Sequence, residues 1–190
     1  IDEATQLVQA ETAIVLRKSL KCIVLAGDDR QLPSTVLSTR NQSLKYGDSL
    51  FERLIRQSYP HSLLNVQYRM HPQISNWPSM MFYNGSLTNG SNVLSPSYQK
   101  DWHQHYPPLS VYDIKTGCNE KDTNGSSFNE VEAEVACRLT HKIRNSIKTS
   151  LTIGIVTPYS AQVELLAHLR MDSSEDSVRR ITRVSTVDGF

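Results

Sequence analysis

Four short apolar runs, each delivering polar or charged residues at its carboxyl end, constrain this chain most: KCIVLAGD (21–28), SLLNVQYR (62–69), LTIGIVTPYS (151–160) and ITRVSTVDGF (181–190). Helical patterns stand between them. SLFERLIRQ puts Leu50, Leu54 and Ile55 on one face, and FNEVEAEVACRLTHKIRN does the same with Val131, Val135, Leu139 and Ile143. Strand, polar loop, helix is the grammar of a parallel α/β sheet, which binds its ligands at the carboxyl ends of the strands. Asp48 is the expected N-cap of SLFERLIRQ, and HPQISNWPSMMFYNG reads as a helix entered through Pro72. PLSVYDIKTG (108–117) adds a further strand, residues 84–108 an exposed connection, and MDSSEDSVRR a solvated turn.

Composition narrows the class. With 38% hydrophobic and 21% charged residues over 190 positions, the chain reads as soluble and globular. It has no apolar run near the roughly 20 residues that span a bilayer, and no secretory leader pattern. Cys22, Cys118 and Cys137 are odd in number and widely spaced, which points to a reducing, intracellular setting, nuclear or cytoplasmic. A net charge of +1 provides no global basic field, so any contact to nucleic acid must be local.

Three clusters carry chemistry. Asp2 and Glu3 follow what reads as a strand end. Such a pair suits nucleotide hydrolysis, one carboxylate helping to hold Mg²⁺ and the other polarising water, though it also suits an acidic helix cap. In GDDRQLP, Gly27 and Asp28 end a strand and Gln31 lies in the loop beyond. An amide there is able to bond both a γ-phosphate oxygen and a water; the same residues also make an ordinary turn. In QYRMHP, Arg69 is a permanent cation at a strand end and needs an anion, either a ligand or a core carboxylate. Tyr68 is placed to stack on a base, and His71 reads first as a helix-entry hydrogen bond.

Taken in order, IDEATQ, GDDRQLP, QYRMHP, NEVEA, TPYSAQ and STVDGF resemble the superfamily 1 helicases of the nonsense-decay-factor and senataxin type, from Ile1 to Phe190. SLFERL and FYNGSL look like that group too. The resemblance implies an α/β fold made of parts of two RecA-like P-loop NTPase lobes with parallel sheets. Residues 1–61 would be the back of an incomplete first lobe, and residues 62–190 most of the second, truncated at its carboxyl end. ATP and Mg²⁺ would lie between the lobes and single-stranded RNA or DNA across both.

The roles implied are Asp2 for Mg²⁺, Glu3 as catalytic base, Gln31 as γ-phosphate sensor and Arg69 as arginine finger. Gly27, Asp28, Gln31, Tyr68 and Arg69 would line the nucleotide. Thr157, Pro158, Tyr159 and Gln162 of TPYSAQ, with Thr186 of STVDGF, would meet the strand, hydroxyls on phosphates and the ring on a base. Asn129 and Glu132 of NEVEA also read as plain helix-capping and solvated residues. No phosphate-binding loop occurs in the 190 residues: GSLTNG (85–90) has the Gly-x₄-Gly spacing but continues with Ser91 and Asn92. The expectation is an internal stretch of a longer ATP-dependent helicase core, with no membrane partner. The competing expectation is a catalytically inactive, helicase-like RNA-binding scaffold.

Overall fold

The computed structural model describes residues 1–16, 19–147, 151–171 and 182–189. The chain divides by internal contact into two compact units, Ile1–Leu94 and Ser95–Phe190. The expected lobe boundary after residue 61 is a division by motif, distinct from this division by contact.

In the first unit, Glu11 reaches back to the Val8 N–H (3.1 Å) and starts α1, Gln9–Val15. A short helix α2, Thr39–Ser43, begins at Ser38, whose hydroxyl accepts the Asn41 N–H. The helix α3, Leu50–Arg56, opens on a reciprocal capping box. Ser49 Oγ accepts the Glu52 N–H at 3.1 Å, and Glu52 Oε2 accepts the Ser49 N–H at 3.0 Å. The cap is therefore Ser49; Asp48, expected in that role, instead meets Arg56 at 2.5 Å.

Beyond α3, the strand β1 is only Val66–Gln67 and pairs in parallel with β2, Thr88–Asn89, in the register Val66↔Thr88 and Gln67↔Asn89. Between them runs α4, Pro72–Phe82, with Pro72 in its first turn and the buried His71 as N-cap, its Nδ1 accepting the Gln73 N–H. The helix α5, Ser91–Leu94, closes the unit and buries Val93 completely.

Two expectations fail here. SLLNVQYR is not a buried strand: with only two rungs of pairing, Leu63 stays 59% and Leu64 89% exposed. Residues 84–108 are not merely an exposed connection, since β2, α5 and the 3₁₀ turns Pro96–Tyr98 and Asp101–Gln104 lie within them.

The second unit opens, in regular structure, with an antiparallel pair, β3 (Glu120–Lys121) and β4 (Ser127–Phe128). Their turn is closed by Asp122 Oδ1, which accepts the N–H groups of Asn124 and Ser126, with Gly125 at φ 82°. The long helix α6, Glu130–Ser146, is capped by Asn129, whose Oδ1 accepts the Glu132 N–H at 3.1 Å; Glu130 and Glu132 fill its first turn. A βαβ unit follows: β5 (Ile153–Thr157), α7 (Ser160–Met171) and β6 (Thr182–Thr186), with β5 and β6 parallel. Packing of α7 on α6, β4 and β6 buries Ala133, Ala161 and Leu166.

PLSVYDIKTG forms no strand: among the described residues its backbone finds no partner, and Val111 is left 88% exposed. The expected turn MDSSEDSVRR, past Met171, lies outside the described residues. The architecture is mixed α/β with short parallel pairs, as the strand–loop–helix alternation implies.

Candidate nucleotide site and strand-binding surface

The first cluster is assembled by backbone hydrogen bonds. The terminal ammonium of Ile1 donates to the Val24 carbonyl at 2.8 Å and the Ile1 carbonyl accepts from the Ala26 N–H at 2.9 Å, the slanted pattern of a parallel pair with Leu25 facing Ile1. Ala4 N–H adds a bond to the Ala26 carbonyl at 2.8 Å. KCIVLAGD thus runs beside the start of the chain as the sequence suggested, although the ladder is too short to count as a strand. The consequence is that Asp2–Glu3 and Gly27–Asp28 emerge together from adjacent segments.

Gly27 serves this close approach. A Cβ there would stand 3.2 Å from the backbone nitrogens of both Ala4 and Thr5, so any larger residue would push the two motifs apart. Ala4 and Thr5 are themselves buried beneath the pair, while Asp2 and Glu3 face solvent. Glu3 has φ 48° and ψ 43°, the left-handed region that a non-glycine residue enters at a cost of about 1–3 kcal/mol. Its N–H donates to Asp2 Oδ1 at 3.1 Å, and its side chain accepts from the Gln6 amide at 3.4 Å.

Asp28 is the most heavily bonded carboxylate of the cluster. Its Oδ2 accepts from Gln31 Nε2 at 2.6 Å and from the Tyr83 hydroxyl at 2.5 Å, and its Oδ1 accepts the Arg30 N–H at 3.0 Å. Partial burial pushes its pKa up, but the hydrogen bonds from Tyr83, Gln31 and Arg30 outweigh that and hold it below the usual carboxylate range. Burial and the neighbouring carboxylate push the Tyr83 phenol the other way, above its ordinary value, so Tyr83 keeps its proton and donates.

QYRMHP is a turn organised by Gln67. Its Oε1 accepts the N–H groups of Arg69 (3.0 Å) and Met70 (2.7 Å), while its Nε2 donates to the Met70 carbonyl and to Asn89 Oδ1. One side chain therefore fixes the backbone on which Tyr68 and Arg69 sit. Arg69 lies two residues past β1 with an exposed side chain, rather than at a strand end. Tyr68 is 61% exposed, and its ring lies so close over Gly90 that a Cβ at position 90 would collide with it. Asn92 Nδ2 holds the Tyr68 carbonyl at 2.7 Å. The ring is thus backed by Gly90 on one side and largely exposed.

In the second unit, Thr157 and Thr186 are the last residues of β5 and β6 and stand opposite each other in the parallel register. Both are half-buried, whereas Pro158 and Tyr159 are exposed. Thr157 Oγ1 accepts the Tyr159 N–H at 3.3 Å, which sets the turn into α7. Gln162 does not join them. It is 7% exposed, its Oε1 accepts the Asn129 N–H at 2.7 Å and its Nε2 donates to the Asn129 carbonyl at 3.1 Å. It braces α7 against the start of α6, so its expected place on the strand-binding face is corrected to a structural one.

Sequence reasoning missed Gln67, Tyr83 and Gly90. FYNGSL and GSLTNG stood out as motifs, yet neither spacing nor periodicity says what Tyr83 or Gly90 touches.

Two family models, each described as an AAA domain, match residues 1–39 and 46–190. The chain is 36% identical over 197 residues to the probable helicase MAGATAMA 3 of Arabidopsis thaliana, covering all of this chain and 24% of the relative. It is 36% identical over 199 residues to helicase SEN1 of Saccharomyces cerevisiae, again all of this chain and 9% of the relative. Against the ATP-dependent helicase NAM7 of the same yeast it is 36% identical over 197 residues, all of this chain and 20% of the relative. This chain is a superfamily 1 helicase sequence of the nonsense-decay-factor and senataxin type. It spans between 9% and 24% of the length of these helicases. Among the described residues, no helix is long and apolar enough to cross a membrane.

Proposed function

We propose that this chain forms part of an ATP-driven helicase or translocase that moves along single-stranded RNA or DNA. Residues 1–61 belong to one RecA-like lobe and residues 62–190 to the next. The observation that carries the reading is the pairing of Ile1 with Val24 and Ala26, which delivers Asp2, Glu3, Asp28 and Gln31 from two adjacent segments. Open α/β sheets bind ligands at such a place.

The donor chemistry fits Mg²⁺ and a nucleotide. Asp2 offers exposed hard carboxylate oxygens, and Mg²⁺ is commonly held by one or two carboxylates together with substrate phosphates. When bound, the metal would neutralise negative charge on the nucleotide's phosphates. Glu3 accepts a proton from the attacking water and aligns it. Gln31 contacts the reacting end of the nucleotide, Tyr68 stacks on its base, and Arg69 meets the charge that develops on the transferring phosphoryl group.

On the second unit, the Thr157 and Thr186 hydroxyls take strand phosphates and Tyr159 offers its ring. In the full-length protein, Tyr159→Ala is expected to weaken single-strand binding by about 1–3 kcal/mol, read by fluorescence anisotropy. Unchanged affinity with a lower melting temperature would instead make Tyr159 a packing residue.

The test of the whole reading is turnover. Full-length protein is expected to hydrolyse ATP faster with single-stranded nucleic acid than without it. Residues 1–190 alone, having no Gly-x₄-Gly-Lys-Ser/Thr run, are expected to show no steady ATPase above a Glu3→Gln control. Full-length protein with no strand-stimulated hydrolysis would overturn the reading.

A further inference from the structure

We propose that Tyr83 is a positioning residue for hydrolysis: acting through Asp28, it holds the Gln31 amide with its carbonyl oxygen presented to the reacting end of the nucleotide. The inference rests on the reading of the GDDRQLP loop as part of the nucleotide site and assigns a role to FYNGSL, which that reading leaves without one.

Tyr83 sits just past the last residue of α4, and its own backbone is fixed. Its N–H donates to the Ser79 carbonyl at 3.1 Å, its carbonyl accepts the Ser86 N–H at 2.9 Å, and Gly85 N–H returns to Ser79 at 2.9 Å. The chain reverses there through Asn84 at φ 50° and Gly85 at φ 72°. A ring anchored in this way delivers its hydroxyl to a set place, and that place is Asp28 Oδ2, 55 residues away in sequence.

Asp28 then decides how Gln31 points. An ionised carboxylate only accepts hydrogen bonds, so the Gln31 group 2.6 Å from Oδ2 must be the NH₂. The reversed amide would set carbonyl oxygen against carboxylate oxygen. The nitrogen end of Gln31 is thereby engaged by Asp28. The end turned outward is Oε1, an acceptor. An acceptor suits a water that must be aligned for attack; it does not suit an anionic phosphate oxygen, which has no proton to give. Gln31 held this way acts on the nucleophile, so its effect falls on kcat more than on ATP affinity.

The ordinary alternative is that the Tyr83–Asp28 bond only staples the end of α4 to the loop. Tyr83→Phe, Gln31→Ala and the double variant separate the two, made in the full-length protein and measured for strand-stimulated kcat, KM for ATP and melting temperature. Tyr83→Phe is expected to lower kcat about 10–100-fold, the factor a lost hydrogen bond to a charged group corresponds to, with KM within about twofold and the melting temperature nearly unchanged. In the Gln31→Ala background the same change should cost nothing further, because its effect passes through that amide. An equal loss in both backgrounds, or a lower melting temperature with normal kcat, would overturn the proposal. If Gln31→Ala is impaired and Tyr83→Phe is not, the positioning role alone falls. If Gln31→Ala itself turns over normally, the reading of the loop as part of the nucleotide site falls with it.

Discussion

Arg69→Ala and Arg69→Lys are each expected to lower kcat for ATP by about 10³–10⁵ in the full-length protein, as the loss of an arginine finger does. The lysine variant carries the weight of the test. It keeps the positive charge but loses the planar, multi-donor fork that spans two oxygens of a transferring phosphoryl group. If charge alone mattered, lysine would restore most of the rate. ATP affinity should fall far less, since an arginine finger meets charge that develops in the transition state. Single-strand affinity should hardly change.

The local structure makes this a clean experiment. The Arg69 side chain is exposed, and its backbone is pinned by Gln67 independently of what stands at position 69. A finger role predicts that either variant keeps its melting temperature. An arginine serving a structural ion pair would show the reverse pattern, a lower melting temperature with normal turnover in the folded enzyme. Measuring both quantities on the same two variants decides between them.

How much of this was legible in the sequence depended on how local the cause was. Placing these residues at the carboxyl ends of apolar runs holds where strands find partners. Thr157 and Thr186 end β5 and β6 in register, and the Asp2–Glu3 pair emerges beside Gly27. The same reasoning failed for residues 62–65 and 108–117, because alternation shows which side chains would be buried but not whether another backbone is there to pair with. The cap of α3 slipped by one residue: Asp and Ser are both good caps, and only the Ser-x-x-Glu spacing of Ser49 and Glu52 separates them.

Long-range side-chain contacts were beyond reach. Gln162 stands in a motif that suggests a ligand, yet it bonds the Asn129 backbone 33 residues away. Gly90 looked like part of a false phosphate loop and instead makes room for the Tyr68 ring. Tyr83 reaches Asp28 across 55 residues. None of these distances in sequence leaves a periodic trace.

Glu3 supports the second large prediction, because its backbone and its chemistry can be tested apart. Its left-handed conformation is maintained by surroundings that are already fixed: Ala4 and Thr5 are buried behind it, the Gln6 N–H returns to its carbonyl at 3.0 Å, and Asp2 takes its N–H. Glu3→Gln retains the shape and an acceptor oxygen but removes the base. It is expected to cut kcat by about 10²–10⁴, the usual worth of a positioned general base, with ATP and single-strand binding retained. Glu3→Gly removes the base and also relieves the backbone, since glycine enters the left-handed region freely. That variant should be as inactive as Glu3→Gln and yet melt at a higher temperature than the unsubstituted protein. Stability rising while turnover vanishes would mark the strain at Glu3 as the cost of presenting its carboxylate to the nucleotide. If Glu3→Gln retains normal kcat, the base lies elsewhere, and the conformation of Glu3 serves only to turn the chain into the Ala4–Gln6 segment.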